Sequence, residues 1–489
     1  MFVVAALALR IPNLLLVPIL DDEGLEVLWG LDIAQGRGLA LEAGTNFYYG
    51  PFFHYLMAIL FRVFGVNLVL PRLAVAIGGA LTVGLTFGLG RLLYDRWAGI
   101  AAAAFVLICP ELIVESSHHG QSSSLAPLFV TAALTGLVSA IKRKSDWLFA
   151  LSGLMAALAI QTHPSSAVVM VGIALWWIAQ KDLRARVYVR GVLIALAVFI
   201  LGLLPQIAIM LGNRFQNVSE TIALTIDPGE YWFRLISWLK VAGYHLAGEI
   251  APATLLSRAH AIVVELIFIA SIAVNWRRGL TLLPLVFAAS ALLLPIFIKM
   301  IHPRYFLYLF PAAFVCLGIT FSAALPKIWA AASNLALRRV AQGAIVGFVG
   351  AALLIPIVTL FQYYDDAKAR GESNAEYFRL LETLRQENAC GTQLMIEETQ
   401  LDFSSKLAVQ KWYALHAVDY MLTMEQCSHR MIALDSFARE SENKNAWLIT
   451  SEASVATLAA DFQLKRVAVI ISPPITMPLP IALIRIEGN

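Results

Sequence analysis

Apolar residues dominate long stretches of the first three quarters of this chain, broken by short polar turns. Runs that cross, or nearly cross, a bilayer fall at about 1–20, 68–92, 97–114, 122–141, 147–162, 165–179, 191–211, 259–276, 281–300, 305–329 and 340–362. About 20 apolar residues in a helix suffice for one crossing, so the pattern predicts about eleven transmembrane helices. Two shorter stretches between the first and second runs, 24–35 and 51–64, are helical in pattern, partly apolar and too short to span. They are expected to lie in the interface, within an outer loop covering 21–67. Beyond Tyr364 the pattern changes. A helix near 373–388, a strand at 394–397, a further helix, and strands near 431–434, 446–450 and 466–472 predict a small α/β domain.

Composition sharpens that boundary. The chain has 489 residues, 59% hydrophobic and 14% charged, against roughly 25% charged in an average soluble domain. The 127 residues from Tyr363 to Asn489 hold 29 charged side chains, about 23%, and the remainder is correspondingly poor in charge. The expectation is a transmembrane module over 1–362 and a soluble domain over 363–489. The net charge of +3 is small and its cations sit in short loops rather than on a continuous basic face, which argues against a nucleic-acid partner.

Those cations report topology. Arg91/Arg96, Lys142-Arg143-Lys144, Lys181/Arg184/Arg186/Arg190, Arg277/Arg278 and Arg338/Arg339 occupy every second connection, which makes those loops and the N-terminus cytoplasmic. An odd number of spans then puts the C-terminal domain outside the cell, on an integral protein of a bacterial-type plasma membrane. There a disulfide between Cys390 and Cys427 becomes available, whereas Cys109 and Cys316 lie in apolar runs and read as core residues. Met1 to Leu9 lack a following small-residue cleavage site and read as part of a retained span.

Candidate chemistry gathers on the outer side. Asp21-Asp22-Glu23 follow the first run directly; His118 and His119 occupy an outer turn; His163 closes another run; Arg304 stands in a short outer turn against the cytoplasmic bias of the other cations. Arg62 reads as interfacial. Arg72 opens the second run on the outer side, with an acidic residue of the first loop or a lipid headgroup as its partner. A metal site from His118, His119, His163 and a carboxylate is conceivable, but the histidines lack the i, i+4 spacing of a helical metal site.

Taken in order, Leu9-Arg10, Asp22-Glu23-Gly24, Tyr48-Tyr49-Gly50-Pro51-Phe52-Phe53-His54-Tyr55, Ser117-His118-His119-Gly120-Gln121, Gln161-Thr162-His163-Pro164 and His302-Pro303-Arg304-Tyr305-Phe306 resemble the GT-C membrane glycosyltransferases of the protein O-mannosyltransferase and lipid A aminoarabinose transferase type. The resemblance covers about 1–330. It implies an inverting glycosyltransferase that draws its sugar from a polyprenyl phosphate at the outer face and passes it to an acceptor lipid, glycan or protein. By the family pattern Asp22 is the base, with Glu23 or Asp21 orienting or assisting it. Arg304 with Tyr305 grips the donor phosphate, and His118, His119, His163, Tyr48, Tyr49 and Arg72 are further candidates for donor contact. A phosphate leaving group needs no protonation, so one base and one cation suffice and no metal or other cofactor is expected. Membrane lipids are obligatory neighbours, and the C-terminal domain could dock protein partners. The sequence departs from its relatives at Gly50, where a basic residue is common, and at His118 and His119. Two other readings stay open on the sequence: a non-catalytic GT-C-fold subunit of a larger membrane assembly, and a lipid or solute transporter.

Overall fold

A computed structural model describes residues 1–17, 21–37, 50–212, 230–246, 255–297, 303–331, 335–369, 374–390, 394–398, 406–434, 436–437, 446–458, 464–471 and 480–486. The chain divides into two compact units, Met1–Pro12 with Gly38–Tyr55 and Leu73–Tyr363, and Asn13–Arg37 with Leu56–Arg72 and Tyr364–Asn489.

The first unit is helical. Its elements include α1 (Phe2–Arg10), the start of α3 (Phe52–Phe64), most of α4 (Val69–Leu93), α5 (Arg96–Ile108), α6 (Pro110–His118), α7 (Ala126–Arg143), α8 (Asp146–Thr162), α9 (Ala167–Ala179), α10 (Arg186–Gly212), α11 (Tyr231–Leu246), α12 (Leu255–Arg277), α13 (Leu282–Phe297), α14 (Phe310–Ala331) and most of α15 (Leu335–Ala369). Helices therefore occupy ten of the eleven expected apolar runs, and the chain is an integral membrane protein. Among the described residues four helical segments are long and apolar enough to cross a membrane, five if a bent pair counts as one span.

Several other apolar helices are shorter than a full crossing, and proline shapes where some of them break. Cys109, the residue before Pro110, is extended (φ −63°, ψ 112°), as the clash with a following proline ring favours. The apolar run there is cut into α5 and α6, bent by 60°. His163 before Pro164 is extended in the same way and separates α8 from α9. The expected first span, 1–20, is corrected more strongly. Its helix stops at Arg10, ahead of Pro12 and of Asn13, whose φ of 64° is left-handed and cannot continue a right-handed helix.

The second unit joins α2 (Asp21–Ala34), the rest of α3 and the first turn of α4 with the C-terminal segment. That segment forms α16 (Ala375–Gln386), β1 (Leu394–Glu397), α17 (Lys406–Met424), β2 (Arg430–Ile432), β3 (Ala446–Ser451), α18 (Glu452–Leu458), β4 (Leu464–Ile471) and β5 (Pro480–Ile486). The strands make one sheet in the order β2-β1-β3-β5-β4. β1 pairs in parallel with β2 and β3, while β5 runs antiparallel to β3 and β4. A core of Met395, Ile432, Phe437, Leu448, Val455 and Ile484 lies under it. Cys390 and Cys427 form the disulfide that the sequence offered.

Candidate functional site

In the second unit the three consecutive acids are not a loop ahead of a helix. They are its first turn, because α2 begins at Asp21 rather than near Gly24. The first turn of a helix carries unpaired N–H groups and the positive end of the dipole, which favours acidic residues at these positions. Glu23 is buried, and Arg72 grips it bidentately, Nε to Oε1 at 2.8 Å and Nη2 to Oε2 at 2.8 Å. The remaining Arg72 nitrogen, Nη1, donates to the carbonyls of Leu14 (2.7 Å) and Val17 (2.9 Å). One guanidinium thus ties the turn after α1 to the acidic start of α2. Asn374 Nδ2 donates to Leu15 and Val17 carbonyls at 2.9 Å each. At the other end of α2, Arg62 donates to the carbonyls of Ala34 (3.0 Å) and Ile33 (3.1 Å), so this cation caps a helix C-terminus.

α17 packs on α2. A Cβ added at Gly24 would lie 3.3 Å from Tyr420 Cβ and 3.4 Å from Cγ, so glycine lets the ring approach the acidic turn. Tyr48 and Tyr49 lie outside the described residues, as do the side chains of Asp21 and Asp22 and all of His302.

The first unit holds two further groups of predicted residues. His118 is fully buried, not facing water in a loop. His119 Nδ1 lies 2.8 Å from Glu115 Oε2, one helical turn earlier, and Gln121 Nε2 donates to Glu115 Oε1 at 3.0 Å. A carboxylate accepts, so His119 carries its proton on Nδ1. Arg10 Nε reaches Ser116 Oγ on the same helix at 3.0 Å. His245 Nδ1 lies 3.3 Å from Glu111 Oε2.

The second group joins His163, Arg304 and Tyr305. Ser165 Oγ donates to the Tyr305 carbonyl at 3.0 Å, and His163 Nδ1 lies 2.5 Å from Ser165 Oγ, so the imidazole donates to that hydroxyl oxygen. Tyr308 OH donates to the Ser165 carbonyl at 2.8 Å. These bonds fasten the turn Pro303–Tyr305 to the turn that follows α8. The His163 and Tyr305 rings meet at 5.2 Å, and Arg304 Cζ stands 5.4 Å from the Tyr305 ring centroid. The guanidinium thus stands beside the ring of its neighbour in a short turn.

Sequence reasoning missed Glu115, Gln161 and Tyr420. Glu115 was legible, since a Glu and a His four apart on a helix face each other. Gln161 accepts the Gly50 N–H on its carbonyl (2.8 Å) and the Phe52 N–H on Oε1 (3.1 Å), and donates to the Gly202 carbonyl at 2.6 Å. Nothing in its local sequence announced that bridge. Among the described residues no group of three or more His, Cys, Asp or Glu is placed to hold a metal ion, so the three-histidine arrangement is not found there.

Residues 49–209 match the family described as dolichyl-phosphate-mannose-protein mannosyltransferase. No match to this sequence was found among curated proteins. Among solved structures, ArnT from Cupriavidus metallidurans bound to undecaprenyl phosphate is similar with a TM-score of 0.61 at 15% identity, over 99% of this chain and 97% of that one. The Archaeoglobus fulgidus oligosaccharyltransferase tethered to an acceptor peptide is similar with a TM-score of 0.56 at 13% identity, over 92% and 68% of the two chains. AglB from the same organism, in complex with an inhibitory peptide and a dolichol-phosphate, reaches 0.51 at 14% identity, over 92% and 69% of the two chains. The fold of this chain is therefore that of the GT-C membrane glycosyltransferases, the group its ordered motifs resemble.

Proposed function

We propose that this protein is an inverting glycosyltransferase that takes a sugar from a polyprenyl phosphate at the outer membrane face and transfers it to an acceptor nucleophile. The observation that carries the reading is the clamp on the acidic turn. Both Glu23 oxygens are committed to Arg72, which makes Glu23 the anchor of the turn and leaves proton abstraction to its neighbour Asp22. In the reaction the acceptor oxygen attacks the anomeric carbon and its proton passes to the Asp22 carboxylate. The bond from that carbon to the phosphate oxygen breaks with its electron pair, and a polyprenyl monophosphate departs. Arg304, backed by Tyr305 and His163, meets the charge growing on that phosphate. His118 and His119, the latter ordered through Glu115, serve as donor-contact residues. The alternating basic loops support a cytoplasmic N-terminus and an outer soluble domain.

The undecaprenyl phosphate in ArnT and the dolichol-phosphate in AglB support a polyprenyl carrier here. Phosphate leaves as a stable anion, so catalysis is expected to persist in excess EDTA. Purified protein in lipid nanodiscs, given a radiolabelled polyprenyl-phosphate hexose or pentose, should transfer the sugar or hydrolyse it slowly. Asp22→Asn should abolish both while the protein stays folded. Equal turnover by wild type and Asp22→Asn, or none by either across a panel of sugars, would remove the catalytic reading in favour of a non-catalytic member of the fold.

A further inference from the structure

The soluble domain contributes more to the acidic turn than shelter. Tyr420, near the C-terminal end of α17, is fully buried, yet among the described residues its hydroxyl has no hydrogen-bond partner. That is unusual for a tyrosine, whose phenol normally finds a partner when buried. Its ring rests against Gly24, where a Cβ would come within 3.3 Å, directly beside the buried Glu23–Arg72 pair. The charged groups facing it are Glu23 and Arg72; Asp419, next to it on its own helix, is engaged with His429 at 2.8 Å. Burial first, then the Glu23 charge, push the Tyr420 phenol well above its ordinary range, with Arg72 pulling the other way. The group is thus a permanently neutral donor beside a turn rich in acceptors.

We propose that Tyr420 is a positioning residue for glycosyl transfer: its ring seats the acidic turn through Gly24, and its hydroxyl donates to a carboxylate of that turn in the reacting complex. The inference rests on the glycosyltransferase reading and assigns a residue of the C-terminal domain to its machinery. A donor to an ionised carboxylate favours the charged form and lowers its pKa. Removing that donor raises the pKa, so the base becomes protonated at higher pH.

The test compares Tyr420→Phe with wild type, using full-length protein in nanodiscs and a labelled polyprenyl-phosphate sugar. The expected result is a kcat lowered about tenfold at neutral pH, an acidic limb of the kcat profile moved to higher pH, an unchanged donor KM and a melting temperature equal to or above wild type. A hydroxyl with only a structural part would leave kcat and the pH profile unmoved, and that outcome overturns the proposal. Gly24→Ala provides the second arm. It should shift the ring and lower kcat with donor KM intact, and wild-type kcat in that variant would overturn the seating role. If wild type itself neither transfers nor hydrolyses, the glycosyltransferase reading fails first and this assignment falls with it.

Discussion

Replacing Glu23 with glutamine tests whether the clamp on the acidic turn is as strong as its geometry implies. The variant keeps shape and volume but leaves the Arg72 guanidinium buried without its counter-charge, since both side chains are only 1% exposed. It also sets the new amide NH2 against an Arg72 N–H, donor to donor, where a carboxylate oxygen had accepted at 2.8 Å. Breaking a buried pair from one side costs about 3–5 kcal/mol, a large share of the roughly 5–15 kcal/mol that holds a typical domain together. At about 1.4 kcal/mol per factor of ten, the hydrogen-bonded amides of α2 beyond its first turn should exchange about two to four orders of magnitude faster. Exchange measured by mass spectrometry on the nanodisc-bound protein resolves that helix from the rest. Asn374 still holds the Leu15 and Val17 carbonyls, so the segment before α2 should respond less than α2 itself. A double variant, Glu23→Leu with Arg72→Met, removes both charges and should recover much of the protection without recovering transfer. Exchange in Glu23→Gln within threefold of wild type would refute the account of the clamp.

Arg304→Ala should lower kcat/KM for the lipid-linked donor by roughly a hundredfold, and Arg304→Lys should recover part of it, since a lysine keeps the charge but not the planar fork; initial rates with labelled donor decide. In the C-terminal segment, burial opposes charge on His429, but its bonds to Asp419 and the Cys427 carbonyl, and the Asp419 charge, outweigh that and raise its pKa. Its stabilisation is therefore full below the unfolded value near 6.5 and is lost as pH climbs through the raised one, so melting temperature should fall over that range in wild type and stay flatter in His429→Gln. Reducing the Cys390–Cys427 bond, which closes 37 residues, should cost about 4 kcal/mol, read as a lower melting temperature of the full-length protein in dithiothreitol.

Much of this architecture was legible because bilayer crossing and sheet burial leave strong periodic signatures. α3 emerged as a short apolar helix after Pro51, and β1 was delimited by its run of four buried residues from Leu394 to Glu397. The end of α1 was not legible, because Asn13 takes a left-handed conformation that its neighbours do not demand. β5 was missed because Pro480–Ile486 follows a proline-rich stretch that reads as loop, although its central residues Ile481, Ala482, Leu483 and Ile484 are fully buried between β3 and β4. In the candidate site the residue types were readable and their partners were not. Arg72 had several acids within reach of a sequence argument, and only folding brings it to Glu23 across 49 positions. Tyr420 is a harder case still, since it becomes relevant only through a contact between residues almost 400 positions apart.

Gly50 shows how a departure from relatives can be built into the fold rather than left as a loss. Where a basic residue is common, a Cβ here would fall 2.4 Å from Gln161 Cγ and 2.6 Å from its Cβ, so no longer side chain fits without moving α8. Gln161 takes over the space and satisfies the Gly50 and Phe52 N–H groups itself. Phe52 opens α3, and a helix start of this kind is otherwise a natural anion site; the neutral amide occupies it instead. On the proposed glycosyltransferase reading the electrostatic grip on a donor phosphate then falls to Arg304, whose guanidinium stands 5.4 Å from the Tyr305 ring. Gly50→Arg should therefore fail to tighten donor binding and should instead loosen α3, seen as faster amide exchange at Phe52 with no fall in donor KM. If Gly50→Arg lowered that KM and rescued Arg304→Ala, the packing argument would be wrong and the glycine would be a vacancy that any cation can fill.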